Sequence, residues 1–147
     1  MAGRILRTEV DMSRTPTHTA PVVSRSMAIG AIAGLAVLKV VMLAALFTQT
    51  PPYPPLAFAP LFGASLALSA FVVAMIYARS RWFVLPTGLI VLESLLSYGP
   101  QKLYPGESSF FAQTTAVYPA ILVGSALILV LALSSWRLSQ AFASKKA

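Results

Sequence analysis

Met27–Thr48 reads MAIGAIAGLAVLKVVMLAALFT, twenty-two residues broken by one charge, Lys39. About 20 consecutive apolar residues cross a bilayer's hydrocarbon core as a helix, so this stretch is predicted to span a membrane. Three more apolar runs follow, at Leu56–Ala78, Trp82–Tyr98 and Ala116–Trp136. The third lies near the lower length limit of about 17 residues. All four are continuously apolar, whereas the strands of an outer-membrane barrel alternate residue by residue. Four such runs in a chain of 147 residues cannot all be interior to a soluble fold. The expected architecture is therefore all-α, a polytopic four-transmembrane-helix bundle.

Composition agrees. The chain is 57% AVILMFWYC and 10% charged, with mean hydropathy +0.77, whereas soluble domains carry about 25% charged residues. The formal net charge of +7 does not point to nucleic acid, because the charges flank apolar runs and form no basic stripe. Domain organisation reduces to a basic tail (1–26), the transmembrane domain (27–136) and a second basic tail (137–147). The first tail lacks the early apolar core of a secretion signal, and Glu9 and Asp11 argue against a transit peptide.

Prolines set the boundaries. Pro51-Pro52-Tyr53-Pro54-Pro55 cannot be helical and makes a stiff connection, since proline lacks an amide donor and restricts the residue before it. Pro60, Pro86 and Pro119 fall near helix starts, where a missing amide costs little. Gly99-Pro100 and Pro105-Gly106 mark the end of the third span and a turn in the loop beyond it.

Positive charge sets the expected orientation. Arg4, Arg7, Arg14 and Arg25 precede the first span, Arg79 and Arg81 join the second and third, and Arg137, Lys145 and Lys146 follow the fourth. Lys102 alone falls on the other side. Both termini are therefore expected in the cytoplasm, in a bacterial inner membrane, with a mitochondrial inner membrane as the alternative. Trp82 and Trp136 are expected as interface anchors on the inner side, and Tyr53, Tyr98, Tyr104 and Tyr118 on the outer.

The chemical inventory is thin. With no cysteine, one histidine (His18) and one aspartate (Asp11), both in the tail, the chain lacks the side chains for a Ser-His-Asp triad, bis-histidine haem or a thiolate metal site. No catalytic, metal or cofactor site is expected. What stands out is Lys39 and Glu93, opposite charges placed inside apolar spans. A charge at the bilayer centre costs at least ~3 kcal/mol by insertion scales, so each needs compensation or a function. At ~1.5 Å per residue, Lys39 lies ~13 Å and Glu93 ~7 Å below the outer ends of their helices, depths a lysine side chain largely bridges. Pro86, Ile90, Glu93 and Ser97 share one helix face, with Ser94 adjacent. The pair is open to three readings: a salt bridge fixing helix register, a contact with a neighbouring subunit, or a proton- or cation-binding carboxylate with Lys39 as its competitor.

Small residues mark packing faces. Gly30 and Gly34 give a G-x-x-x-G spacing in the first span, roughly 140–180° around the helix from Lys39. Ala120 and Gly124 do the same in the fourth span, and Gly63 with Ala67 in the second. Two opposed faces unsuited to lipid suggest that one packs within the bundle while the other meets a partner. The sequence thus points to a non-enzymatic accessory or assembly subunit of a larger membrane complex, its partners being membrane lipids and other membrane-protein subunits. The alternatives are a small proton- or cation-coupled transporter and a lipid- or quinone-binding membrane protein. The loop Gly99–Thr115, with Phe110-Phe111, is expected to anchor at the interface.

Overall fold

In a computed structural model the described residues are 19–51, 53–99 and 118–144. They form four α-helices: α1 (Thr19–Thr48), α2 (Ala59–Tyr77), α3 (Val84–Tyr98) and α4 (Tyr118–Ser144), with one-turn 3₁₀ segments at Leu56–Phe58 and Arg81–Phe83 leading into α2 and α3. Three segments are long and apolar enough to cross a membrane: Val22–Thr48, Leu56–Tyr77 and Tyr118–Ser144. The 15-residue α3 rises only about 22 Å and is the short member of the set. The N-terminal tail as far as residue 18, the loop carrying Lys102, Tyr104 and Phe110-Phe111, and Lys145 and Lys146 lie outside the described residues.

Two helices are longer than their apolar runs. Nothing between Pro21 and Met27 breaks a helix, so α1 begins at Thr19 and includes Ser24, Arg25 and Ser26. The continuation is used: the Arg25 guanidinium lies 4.5 Å from the Tyr77 ring centroid at the end of α2, a cation–π contact. Likewise α4 runs on to Ser144, and Phe142 meets the Phe83 ring edge-on at 5.7 Å, a favoured aromatic geometry. Hydropathy marks only the part of a helix that prefers lipid, so both extensions escape it.

The helix ends match the prolines. Pro60 occupies the first turn of α2, and Pro119 the second residue of α4. α1 closes with the Thr50 amide donating to the Ala45 carbonyl at 3.0 Å and the Gln49 amide to Leu46 at 3.3 Å. α2 closes in the same way, from Ser80 to Met75 (3.0 Å) and from Arg79 to Ile76 (3.2 Å). Both are Schellman closures, yet the left-handed position is held by Gln49 (φ 51°) and Arg79 (φ 53°) instead of glycine.

Neighbouring helices are antiparallel, as residue pairs show. Arg25 near the start of α1 meets Tyr77 at the end of α2. Phe83 before α3 meets Phe142 late in α4, while Tyr98 at the end of α3 abuts Gly124 early in α4. Packing runs in a closed order, α1 against α2 and α4, and α3 against α2 and α4. The α2–α3 seam is the least intimate of the four.

The G-x-x-x-G expectation divides. A Cβ on Gly34 would stand 2.8 Å from a Leu127 methyl carbon, so this glycine lets α4 approach closely. Gly30 has open space around it. Since Lys39 faces α2 and α3, α1 has two opposed faces occupied inside one chain. Gly124 is tighter still: an added Cβ would lie 2.6 Å from Tyr98 Cβ. Ala120, one turn earlier on α4, is half-buried.

These contacts order three substitutions. Gly124→Ala meets a Cβ that cannot yield without moving α3, and overpacking of this kind costs about 1–3 kcal/mol. Gly34→Ala meets only the flexible end of Leu127, and its clash is largely offset by a helix-propensity gain of up to ~1 kcal/mol. Gly30→Ala has the gain without the clash. Thermal unfolding in detergent should rank the variants Gly30→Ala, Gly34→Ala, Gly124→Ala from most to least stable. At the end of α1, Gln49→Gly should raise Tm by relieving a left-handed cost of roughly 1 kcal/mol.

Candidate functional site

Lys39 and Glu93 meet within the chain. Lys39 is 0% exposed, and its Nζ is bound to Glu93 Oε2 in an ion pair. The same ammonium donates to Ser65 Oγ on α2. Ser65 Oγ in turn donates to Glu93 Oε2 at 3.0 Å, closing a triangle across three helices. Ser94 Oγ reaches Glu93 Oε2 at 3.4 Å, and Ser97 Oγ reaches Oε1 at 3.2 Å. Each charge is thus compensated in the way a low-dielectric interior demands, by an opposite charge and by hydrogen bonds to the remaining valences.

Helical spacing places every member. On α2 the buried residues are Phe62, Ser65, Ser69, Val72 and Ile76, an alternation of three and four that defines one face. Ser69 bonds back to the Ser65 carbonyl at 2.8 Å, the usual way for a helical serine to satisfy its hydroxyl. On α3 the buried face is Thr87, Ile90, Ser94 and Tyr98. Glu93 sits at its edge, with 17% of its side chain exposed. It therefore has one side toward the ion pair and the other toward the α2–α3 seam.

That seam is open. A cleft of about 580 Å³ lies between α2 and α3, walled by Phe58, Leu61, Leu68, Leu89, Leu92 and Leu96. The polar side chains among its lining residues are those of Ser65, Glu93, Ser97 and Tyr98, and of these the Tyr98 hydroxyl itself has no accessible surface. The volume falls within the range of about 300–1,000 Å³ usual for small-molecule sites, which are mostly apolar with a few placed polar groups.

Tyr98 corrects an expectation. It is 2% exposed, packed on Gly124 and lining the cleft, so it is no interface anchor. Its carbonyl accepts from Ser125 Oγ at 3.0 Å, while its hydroxyl has no partner among the described residues. Gly124 leaves the space the ring fills, which is why an aromatic at the end of α3 turns inward. Trp82 and Trp136 are well exposed, and Tyr53 and Tyr118 are exposed as well. Tyr104 lies outside the described residues.

Ser65 is the residue that the sequence reading did not single out. Its signal was present: Ser65 and Ser69 fall on the same α2 face as Phe62, Val72 and Ile76, at i, i+4 spacing. Among the described residues no three His, Cys, Asp or Glu side chains come together as a metal site would require. No protein-family model, curated protein or solved structure matches the chain.

The two charges are unequal in exposure, and their removal should be unequal in cost. Glu93→Gln leaves a fully buried ammonium unpaired, with a cost of the order of 3–5 kcal/mol. Lys39→Met leaves a carboxylate at a cleft, with Ser65, Ser94 and Ser97 still donating, and should cost less. The double variant Lys39→Met/Glu93→Gln should recover most of the loss, as replacing a buried pair with neutral groups does. Unfolding midpoints of the four proteins in one detergent would expose additive losses, which contradict a direct pair.

Proposed function

We propose that the chain is a four-span membrane protein of a bacterial inner membrane that holds a small lipophilic molecule in the cleft between α2 and α3. The observation that carries this reading is the cleft: apolar walls, with a carboxylate and two serines among its lining residues. A register-fixing salt bridge needs no such opening beside it. The Lys39–Ser65–Glu93 triangle then has a double role, joining three helices and giving the cleft a fixed polar end.

The short α3 is read as the remaining span. Its buried face joins α2 and α4, and Val84, Leu85 and Leu95, which lie outside the cleft, are exposed and apolar, as lipid contact requires. The positive charge pattern then supports cytoplasmic termini. The alternative role, an accessory subunit docking through helix faces, drew on two features of α1, an intramembrane charge and a small-residue face. The charge is matched by Glu93 and the Gly34 face by Leu127, so neither now calls for a second protein.

Two experiments test this reading. Native mass spectrometry after gentle extraction should find a retained small molecule. Ala64→Trp, which puts an indole in the cleft, should abolish retention while leaving helix content unchanged. Equal retention by the filled variant overturns the reading. Because the chain has no cysteine, single cysteines report topology cleanly. Gln49→Cys should react with an impermeant maleimide on intact cells, and Ala78→Cys only after permeabilisation. The reverse pattern rejects the orientation.

A further inference from the structure

Three arginines gather where α2 ends and α3 begins. Arg79 and Arg81 lie in the connecting turn, both exposed, and Arg25 reaches the same end from α1, its guanidinium 4.5 Å from the Tyr77 ring centroid. The turn folds back on α2, because the Arg79 and Ser80 amides donate to the Ile76 and Met75 carbonyls. No carboxylate answers this charge nearby. Among the described residues Glu93 is the only acidic side chain, and it is bound to Lys39. By helical rise it lies roughly 18 Å along α3 from Arg81.

The position of the cluster matches a headgroup layer. Tyr77 closes the apolar segment Leu56–Tyr77, so the turn after it stands where hydrocarbon gives way to polar heads. Tyr77 and Trp82 are well exposed beside the arginines, as rings at that level are. The contact with Tyr77 engages the face of the Arg25 guanidinium and leaves its in-plane N–H donors for an oxyanion. Guanidinium groups suit phosphate in particular, since two parallel N–H groups can meet two of its oxygens. Arg79 adds a second observation. It holds the left-handed position of the Schellman closure, φ 53°, where glycine is the unstrained choice but carries no charge.

We propose that the α2–α3 turn, with Arg25 beside it, binds the phosphate headgroups of anionic membrane lipids in preference to zwitterionic ones. An anionic head supplies the negative charge that this end of the bundle lacks, whereas a zwitterionic head sets its own ammonium against the arginines. This goes beyond the reading of the cleft and depends neither on an occupant there nor on α3 crossing the membrane.

The test uses the purified full-length chain carrying Trp136→Phe, which leaves Trp82 as its one tryptophan. It is reconstituted into mixed vesicles of phosphatidylglycerol and phosphatidylcholine, with the acyl chains of one lipid brominated at a time. Quenching of Trp82 then reports which lipid occupies the adjacent shell. No insertion step remains, so arginines that serve only to orient the chain give no preference. Phosphatidylglycerol should be preferred at least about fivefold at low salt, the factor one basic residue contributes near an anionic surface. The preference should shrink as salt screens it. Arg79→Gly and Arg81→Gln should each lower it, and the double variant should remove most of it. Arg79→Gly should also raise Tm by relieving the left-handed backbone, which separates lost binding from lost folding. Gln49→Gly, the same relief at the end of α1, should raise Tm and leave the preference unchanged. Equal quenching by the two brominated lipids with all arginines present overturns the headgroup site. So does a preference that the double variant largely keeps, or a loss that Gln49→Gly reproduces. None of these outcomes bears on the α2–α3 cleft.

Discussion

The bundle depends on burying one positive charge. Lys39 has no exposure, and an ammonium in that setting is tolerable only if its charge and its donors are met. The requirement reaches across the molecule: α2 must present Ser65 and α3 must present Glu93 at the level of Lys39, about two-thirds of the way along α1. Apolar helices in a lipid-like setting have little to fix their relative sliding, since any leucine packs nearly as well one turn along. A single ion pair removes that freedom, because a shift of one turn would move the partners about 5 Å apart. The pair therefore sets the register of three helices, and close packing at Gly34 and Gly124 sets how α4 fits against them.

The same interaction accounts for the shape of the α2–α3 seam. Glu93 stands at the edge of the buried face of α3, not at its centre. Reaching Lys39 from that edge draws the carboxylate across the seam toward α1, with Ser65 between the two helices. The large side chains on either side, Phe58 and Leu68 on one wall and Leu92 and Leu96 on the other, line an opening instead of closing over it. A polar lock and an apolar cleft are thus two results of one placement.

Much of this was legible in the sequence, for physical reasons that can be named. Runs of apolar residues and the positions of Pro60 and Pro119 locate helices, because both act locally. Lys39 and Glu93 were conspicuous because charge is costly in such runs, and their matching depths followed from helical rise alone. The lengths of α1 and α4 were less legible, since Ser24, Arg25 and Phe142 belong to helices whose ends are neither apolar nor marked by breakers. Tyr98 was misplaced because aromatic belts are an average property, and only the gap left by Gly124 turns this ring inward. Ser65 gave a periodic signal on α2, but its meaning needs α1 and α3 beside it. The cleft has no sequence signature, because it depends on where two helices fail to touch.

On the proposed reading of α3 as a span, its fifteen residues, set between partners of 19 and 27, carry a consequence for the membrane itself. A span shorter than the hydrocarbon thickness is accommodated by thinning of the bilayer beside it. Along α3 the headgroup region would be drawn inward, toward the level of Glu93, which lies only five residues from the helix end. The carboxylate, with the Lys39 ammonium bound to it, would then sit near a depressed lipid–water boundary. Such a dimple would make the protein sensitive to membrane thickness, favouring thin bilayers over thick ones. It would also bring lipid heads close to the mouth of the seam, so that the local deformation of the bilayer would become part of how the protein meets its lipids.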